Sequence, residues 1–173
     1  MKNEIQKISD VPDLIGIKNV MDNVAKALNE KPNAKFIKKN KYANNSNYLE
    51  IGYIEAQLDR QFLQWDWEVQ SVQQIANGIV VVGKLTVTTL AGNKISRGGV
   101  AGVEIQTRKD ATALDPSTIN SKAMDRDPGR AEAYCLKNAA SKLGNAFGRG
   151  LNRDFNFEHQ ADNEIVNKIF GDQ

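Results

Sequence analysis

Residues 64–105 hold three runs of strand-type sequence separated by two short turns, and no other feature constrains the fold of this chain as tightly. In the first run Trp65, Trp67 and Val69 alternate with polar neighbours and lead to Val72. In the second, residues 79–90, Leu85 and Val87 alternate against Thr86 and Thr88. A period of two places the apolar side chains of a strand on one face, against a core. Asn77-Gly78 reads as the central pair of a type I′ hairpin turn, where both residues need positive φ. Ala91-Gly92-Asn93-Lys94 turns the chain again, into a third run from Ile95 through Val103 and Ile105 that is thinned by Gly98, Gly99 and Gly102. Turns this short join antiparallel neighbours, so the predicted unit is a three-stranded meander. The glycines of its last strand predict a bend, a bulge or the close approach of another backbone.

Helical patterns flank the meander. Leu14, Ile17, Val20, Met21, Val24, Ala27 and Leu28 recur at three- and four-residue spacing, which predicts an amphipathic helix over 10–30 with Pro32 just past its end. A basic stretch follows with Lys35, Lys38, Lys39 and Lys41, then the loop-like Asn44-Asn45-Ser46-Asn47. A second short helix is predicted from about Tyr53, carrying Ile54, Leu58, Phe62 and Leu63. Residues 108–125 read as a polar connection. Asp127-Pro128 then places a capping residue before proline at the first helical position, and the helix it opens is predicted to run to about Phe147. The expected class is α+β: an antiparallel three-stranded β-meander packed by a long C-terminal helix, with an N-terminal helix before it.

At 173 residues, 40% hydrophobic, the chain suits one domain with a real core, assigned to 1–153, followed by a tail at 154–173. A single cysteine, Cys135, cannot form an internal disulfide and points to a reducing compartment. The first ten residues are charged and lack the apolar run of a signal peptide, and no stretch reaches the ~20 apolar residues of a membrane helix. The expectation is a cytoplasmic protein, in a bacterial host's cytoplasm if the chain is phage-encoded. The net charge of +2 conceals an uneven distribution. Residues 154–173 hold one base, Lys168, against Asp154, Glu158, Asp162, Glu164 and Asp172, a net of −4, which leaves +6 on residues 1–153. A basic body with an acidic tail fits a nucleic-acid binder and equally fits a solvated surface with a passive end.

The long helix sharpens that choice. At 100° per residue Leu136, Ala139, Ala140, Leu143 and Phe147 form one stripe, which should pack on the sheet. The opposite side carries Arg130, Lys137, Asn138, Ser141, Lys142, Asn145 and Arg149. From Lys137 to Arg153 there are four bases and no acid. Gly144 and Gly148, read as helical, each cost about 0.5–1 kcal/mol relative to alanine, so close approach by a backbone should offset them. That backbone is either a phosphodiester strand or another element of the protein, and the residues alone leave both open.

Other chemistries find little support. Residues 78–85 nearly spell a phosphate-binding loop, but Leu85 stands where serine or threonine would hold magnesium, and the context is a strand. His159 has no cysteine partners at zinc-ligand spacing, and Cys135 reads as a small buried hydrophobe. Glu104 and Asp110 alone do not make the converging carboxylates of a metal-dependent nuclease. No catalytic residue, metal or cofactor is expected. The alternation of Trp65 and Trp67 assigns them to core or subunit packing rather than to base stacking. Ile165, Val166, Ile169 and Phe170 form an amphipathic patch in the tail, read as a dock for a neighbouring subunit or for a replication or recombination partner.

Three blocks of sequence resemble the annealing domain of the Rad fifty-two family, in its phage and bacterial form. They are Tyr53-Ile54-Glu55, then Trp67 with Gln73-Gln74, Asn77-Gly78 and the strand from Gly99 to Val103, and finally Leu136-Lys137-Asn138-Ala139 with Leu143-Gly144-Asn145-Ala146-Phe147-Gly148. The similarity extends from about Leu28 to Asp154. It implies a β-β-β-α core, homo-oligomeric rings or arcs, and a basic groove in which the backbone of single-stranded DNA faces the protein while the bases stay exposed for pairing. It thus implies strand annealing without ATP, in recombination and repair. Lys137 falls on the position of a groove lysine that contacts phosphate. The arginine that often follows it is Asn138 here, and the base one turn later is Ser141, with Lys142 adjacent. The groove arginine of the short helix aligns with Leu58, with Arg60 two residues on. Lys137, Asn138, Lys142 and Arg60, together with Arg130, Arg149, Arg153, Lys35, Lys38, Lys39 and Lys41, make up the expected DNA-binding set. A general single-stranded DNA- or RNA-coating protein without annealing activity is the alternative, and a nuclease a more remote one.

Overall fold

The computed structural model describes residues 14–41, 43–109 and 115–153. The chain runs through α1 (Leu14–Asn29), a 3-10 turn (Ala34–Phe36), β1 (Ile37–Asn40), β2 (Ser46–Leu49), α2 (Ile51–Gln61), β3 (Gln64–Ile75), β4 (Gly78–Thr88), β5 (Lys94–Glu104) and α3 (Ala123–Ser141). A further 3-10 turn, Asn145–Phe147, follows α3. The α+β meander is present: β3, β4 and β5 lie side by side in sequence order, both pairings antiparallel. Alternation works as physics requires in β4, where Ile79, Val81, Leu85 and Val87 are buried on one face. α3 packs on that face, over β5 and β4.

A bulge between Val69 and Ser71 shifts the β3 register, pairing Val69 with Gly83 but Val72 with Val81. Residues three apart thereby share the face turned toward α3. α3 does not reach that far across the sheet, and Val69 and Val72 remain exposed.

Two cores result. One joins Ile54, Leu58 and Phe62 of α2 and its end to Leu85 and Val87 of β4, Leu136, Ala139 and Ala140 of α3, and Phe147, whose ring stacks on Phe62 at 6.3 Å. The other lies under the first half of α3 and contains Ile79, Val81, Ala101, Val103, Ile105, Ala131 and Cys135. Trp65 and Trp67 are half-buried against these clusters, and their indole N–H groups donate to Asp59 at 2.8 Å and Glu132 at 3.3 Å. Cys135 is fully buried, and burial pushes its thiol pKa up, as suits an inert packing residue. Among the described residues no helix is long and apolar enough to cross a membrane.

Four local expectations need correction. The β3–β4 turn sits one residue earlier than Asn77-Gly78: Ile75 pairs with Gly78, so the two-residue loop is Ala76-Asn77, and Ala76 takes the positive φ of 50°. A left-handed alanine is strained by about 1–2 kcal/mol, whereas glycine is not. Ala76→Gly is therefore expected to raise stability by about 0.5–1 kcal/mol once the looser unfolded chain is subtracted. A rise in the thermal midpoint checks it, and an unchanged or lower midpoint would refute the strain.

The second correction concerns the start of α3, which begins at Ala123 rather than at Asp127. Asn120 closes that end, its backbone carbonyl accepting from the Ala123 N–H at 2.8 Å and its side chain from the Lys122 N–H at 3.3 Å. Asp127 is 1% exposed, accepts from the Gln106 N–H at 2.9 Å, and pairs with Arg130 at 3.3 Å. Its carboxylate ties the end of β5 to the helix instead of capping it. Pro128, one turn into the helix, leaves the carbonyl of Met124 without its helical donor at an exposed position.

Third, α3 ends at Ser141, so Gly144 and Gly148 are not helical. Gly144 is extended and lies against Leu28 at the end of α1, where a Cβ would collide with the Leu28 carbonyl oxygen. Gly148 takes a left-handed φ of 85°. The close backbone approach is real, and the partner is the chain itself. Gly99 of β5 serves the same purpose, since a Cβ there would meet the carbonyl of Cys135.

Finally, Ser46 and Asn47, read as part of a loop, belong to a strand, which pairs with the basic stretch before it in a hairpin. β1 and β2 pair from Ile37↔Leu49 to Asn40↔Ser46, with Asn44 and Asn45 at positive φ in the turn. Asparagine tolerates that conformation better than other side chains.

Candidate nucleic-acid interface

The hairpin forms a wall opposite α3. Strand β2 is fastened to the segment after α3 by Asn152, whose side chain accepts from the Asn47 N–H at 2.6 Å and donates to the Asn47 carbonyl at 2.7 Å. Asn152 holds φ at 60° while doing so. This clasp links residues 105 positions apart and fixes the width of a cleft of about 310 Å³ between β2 and the C-terminal half of α3. Lys137, Arg149, Arg153, Asn138 and Ser141 line it, with Tyr48 and Tyr134, and none of its described lining residues is acidic.

A wider cleft of about 870 Å³ adjoins it between α2, the 3-10 turn Ala34–Phe36 and α3. Lys35 and Arg60 line this second cleft, with Phe36, Tyr53 and Glu50. Tyr48, Tyr134 and Lys137 belong to both, so the two form one groove with Lys137 at its waist. From end to end its cations are Lys35 and Arg60, then Lys137, then Arg149 and Arg153.

Lys137 is the unusual one. Its stem is half-buried, and its ammonium donates to the Leu49 carbonyl at 3.3 Å and lies 4.6 Å from the Tyr134 ring centroid and 5.5 Å from that of Tyr48. Burial pushes its pKa down, with only partial opposition from the charge of Glu50. Among the described residues it makes no ion pair. A partly desolvated cation that holds only a carbonyl and two ring faces is a ready site for an anion.

The other expected residues divide. Arg149 donates from Nε to the Ser141 carbonyl at 3.2 Å and from Nη2 to that of Lys142, so it caps the C-terminus of α3 from within the cleft. Asn138 donates to the Val100 carbonyl at 2.8 Å, fixing helix to sheet. Arg60 is exposed on the groove while Leu58 is completely buried, so only the arginine of that pair can face a ligand. Lys38 pairs with Glu50 at 2.5 Å, which raises its pKa, and both side chains remain exposed. Lys39 and Lys41 are exposed on and beyond β1 and line neither cleft.

Lys142 and Arg130 lie elsewhere. The Lys142 ammonium donates to the Gly98 carbonyl at 2.5 Å, and Arg130 donates to that of Glu104 at 3.1 Å. Neither lines the groove.

Sequence reasoning missed two contributors. One is the β1–β2 hairpin, whose only signal was four residues on each side of an asparagine-rich turn. The other is the set of rings Phe36, Tyr48, Tyr53 and Tyr134, far apart in the sequence and gathered only by the fold. Asp110, His159 and the tail patch Ile165, Val166, Ile169 and Phe170 lie outside the described residues. Among those described, no group of three or more His, Cys, Asp or Glu is placed to hold a metal ion. Residues 78–85 lie wholly within β4, which leaves no phosphate-binding loop there. Compared with models of protein families and with curated protein sequences, the chain gives no match.

Proposed function

We propose that this chain binds the backbone of single-stranded DNA along the groove and anneals complementary strands without ATP, as its likeness to recombination and repair annealing proteins suggests. The observation that carries the reading is the half-buried Lys137, which has no ion pair among the described residues and is set between Arg149 and Arg153 on one side and Lys35 and Arg60 on the other. Cations placed along both clefts of one groove suit the repeated negative charge of a phosphodiester chain. Assembly into rings or arcs would extend the groove from one subunit to the next. The exposed Val69 and Val72 at the uncovered edge of the sheet supply apolar surface for a neighbour.

The experiment is fluorescence-detected pairing of two complementary oligonucleotides, with and without protein, in the absence of nucleotide and with chelator present. Pairing is expected to accelerate at sub-saturating protein and to slow once salt weakens binding. No acceleration at any ratio of protein to DNA would overturn the annealing role. A strand-coating protein without annealing activity is the second reading, favoured by the four aromatic rings on the groove. Tight binding that only slows pairing would select it.

A further inference from the structure

We propose that the wider cleft is a pocket for an unpaired nucleobase, so that the groove selects single strands by their bases as well as their charge. The inference rests on the proposed function and refines it. The floor of this cleft is small and open: Gly52 and Ala56 stand one turn apart on α2, and a Cβ at Gly52 would meet nothing within 4 Å. Its sides are rings. Phe36 and Tyr53 lie 4.9 Å apart between centroids, inclined at 35°, and Tyr134 rises opposite from α3.

Tyr53 is half-buried against the core, but two of these rings are not consumed by packing, for Phe36 keeps 41% of its surface exposed and Tyr134 39%. Cations stand beside both, Lys35 at 4.7 Å from the Phe36 centroid and Lys137 at 4.6 Å from that of Tyr134. A nucleotide offers the complementary pair of groups, a π face flanked by phosphates. The narrower cleft beyond Lys137 shares Tyr48 and Tyr134 but adds the amide, hydroxyl and guanidinium groups of Asn138, Ser141, Arg149 and Arg153, which suit backbone.

In a duplex both faces of each base are stacked and its edge is paired, so no base is free to enter. The family resemblance implies bases turned outward along the whole strand. The aromatic cleft instead turns a base inward at each subunit and leaves its neighbours presented for pairing.

The test compares two oligonucleotides of equal length and charge, one normal and one abasic throughout, binding to the full chain and to Tyr134→Ala, Tyr134→Phe and Lys137→Met. The wild-type protein is expected to prefer the normal strand about tenfold, the range of one stacked base. Tyr134→Ala should lose that preference by weakening on the normal strand alone, and Tyr134→Phe, which keeps the ring, should retain it. Equal wild-type affinity for both strands, or an equal loss on both in Tyr134→Ala, would overturn the base pocket. In that case salt-dependent binding weakened by Lys137→Met would leave the backbone groove standing. If Lys137→Met altered neither strand's affinity nor its salt dependence, or if no strand bound at all, both readings would fall.

Discussion

Lys137→Met is expected to lower affinity for a single-stranded oligonucleotide about ten- to hundredfold at ~0.1 M salt, the range for losing a contact to a charged group. Methionine keeps an apolar stem against Tyr48 and Tyr134 and removes only the charge, so the groove wall should survive. The slope of log affinity against log salt should become shallower by about 0.7 for one lost phosphate contact on a single strand. Lys142→Met is the control. That ammonium is held by the Gly98 carbonyl outside the groove, and its loss should change affinity less than about twofold. Anisotropy titrations across a salt series read both quantities. Equal effects from the two lysines would mean that net charge, not the groove, binds the strand.

The same residue sets a pH dependence. Burial holds the Lys137 pKa below its ordinary 10.5, so the free protein loses this proton at lower pH than an exposed lysine would. Phosphate binds the charged form, and affinity should therefore begin to fall earlier on the alkaline side in the wild type than in Lys137→Arg. The sign for stability is opposite. The unfolded chain holds the proton more tightly than the folded one, so this group's contribution to stability rises with pH through the interval between the two pKa values.

Gly144→Ala is expected to destabilise the fold by about 2–3 kcal/mol, at the upper end of overpacking, because the obstacle is backbone. The added methyl would run into the Leu28 carbonyl, and neither α1 nor the turn Asn145–Phe147 can yield without disturbing the other. Asn145 donates to the Asn29 carbonyl at 3.4 Å, and Phe147 is stacked on Phe62, so the turn is held from both sides. For a chain of this size such a change lowers the thermal midpoint by roughly 4–12 °C. A midpoint within about 1 °C of the wild type would show that α1 is docked too loosely to register the methyl.

These predictions rest unevenly on what the sequence displays. The meander was legible because alternation in β3, β4 and β5 and the turns between them are local signals, set by residues next to one another. Even there the turn moved by one residue, because a glycine that fits a turn also fits the start of a strand lying between two neighbours. Asp127-Pro128 misled for a related reason. Local rules make that pair a helix start, but the Gln106 amide and Arg130 draw the carboxylate inward, and those partners come from packing. Gly144 was correctly read as marking close backbone approach, while the identity of the approaching backbone was invisible; Gly148 meets only the side chains of Leu49 and Leu151 and is required instead by its left-handed φ. Leu28 lies 116 residues from Gly144, and no local pattern encodes that meeting.

By itself the sequence determined the α+β class, the order of the strands, the apolar stripe of α3 and the acid-free run of bases that begins at Lys137. All of these follow from periodicity and charge over short stretches, where neighbouring residues share one element and one solvent boundary. Only the tertiary structure decided which of those bases share a groove. Lys137, Arg149 and Arg153 fall on it and Lys142 does not, nor does Arg130 earlier in α3, because the Asn47–Asn152 clasp sets the hairpin against one side of α3 while the sheet takes the ammonium of Lys142 and the guanidinium of Arg130. The rings of Phe36, Tyr53 and Tyr134 became a cleft by the same means, since a surface made by three separate elements exists only once the core beneath them has been packed.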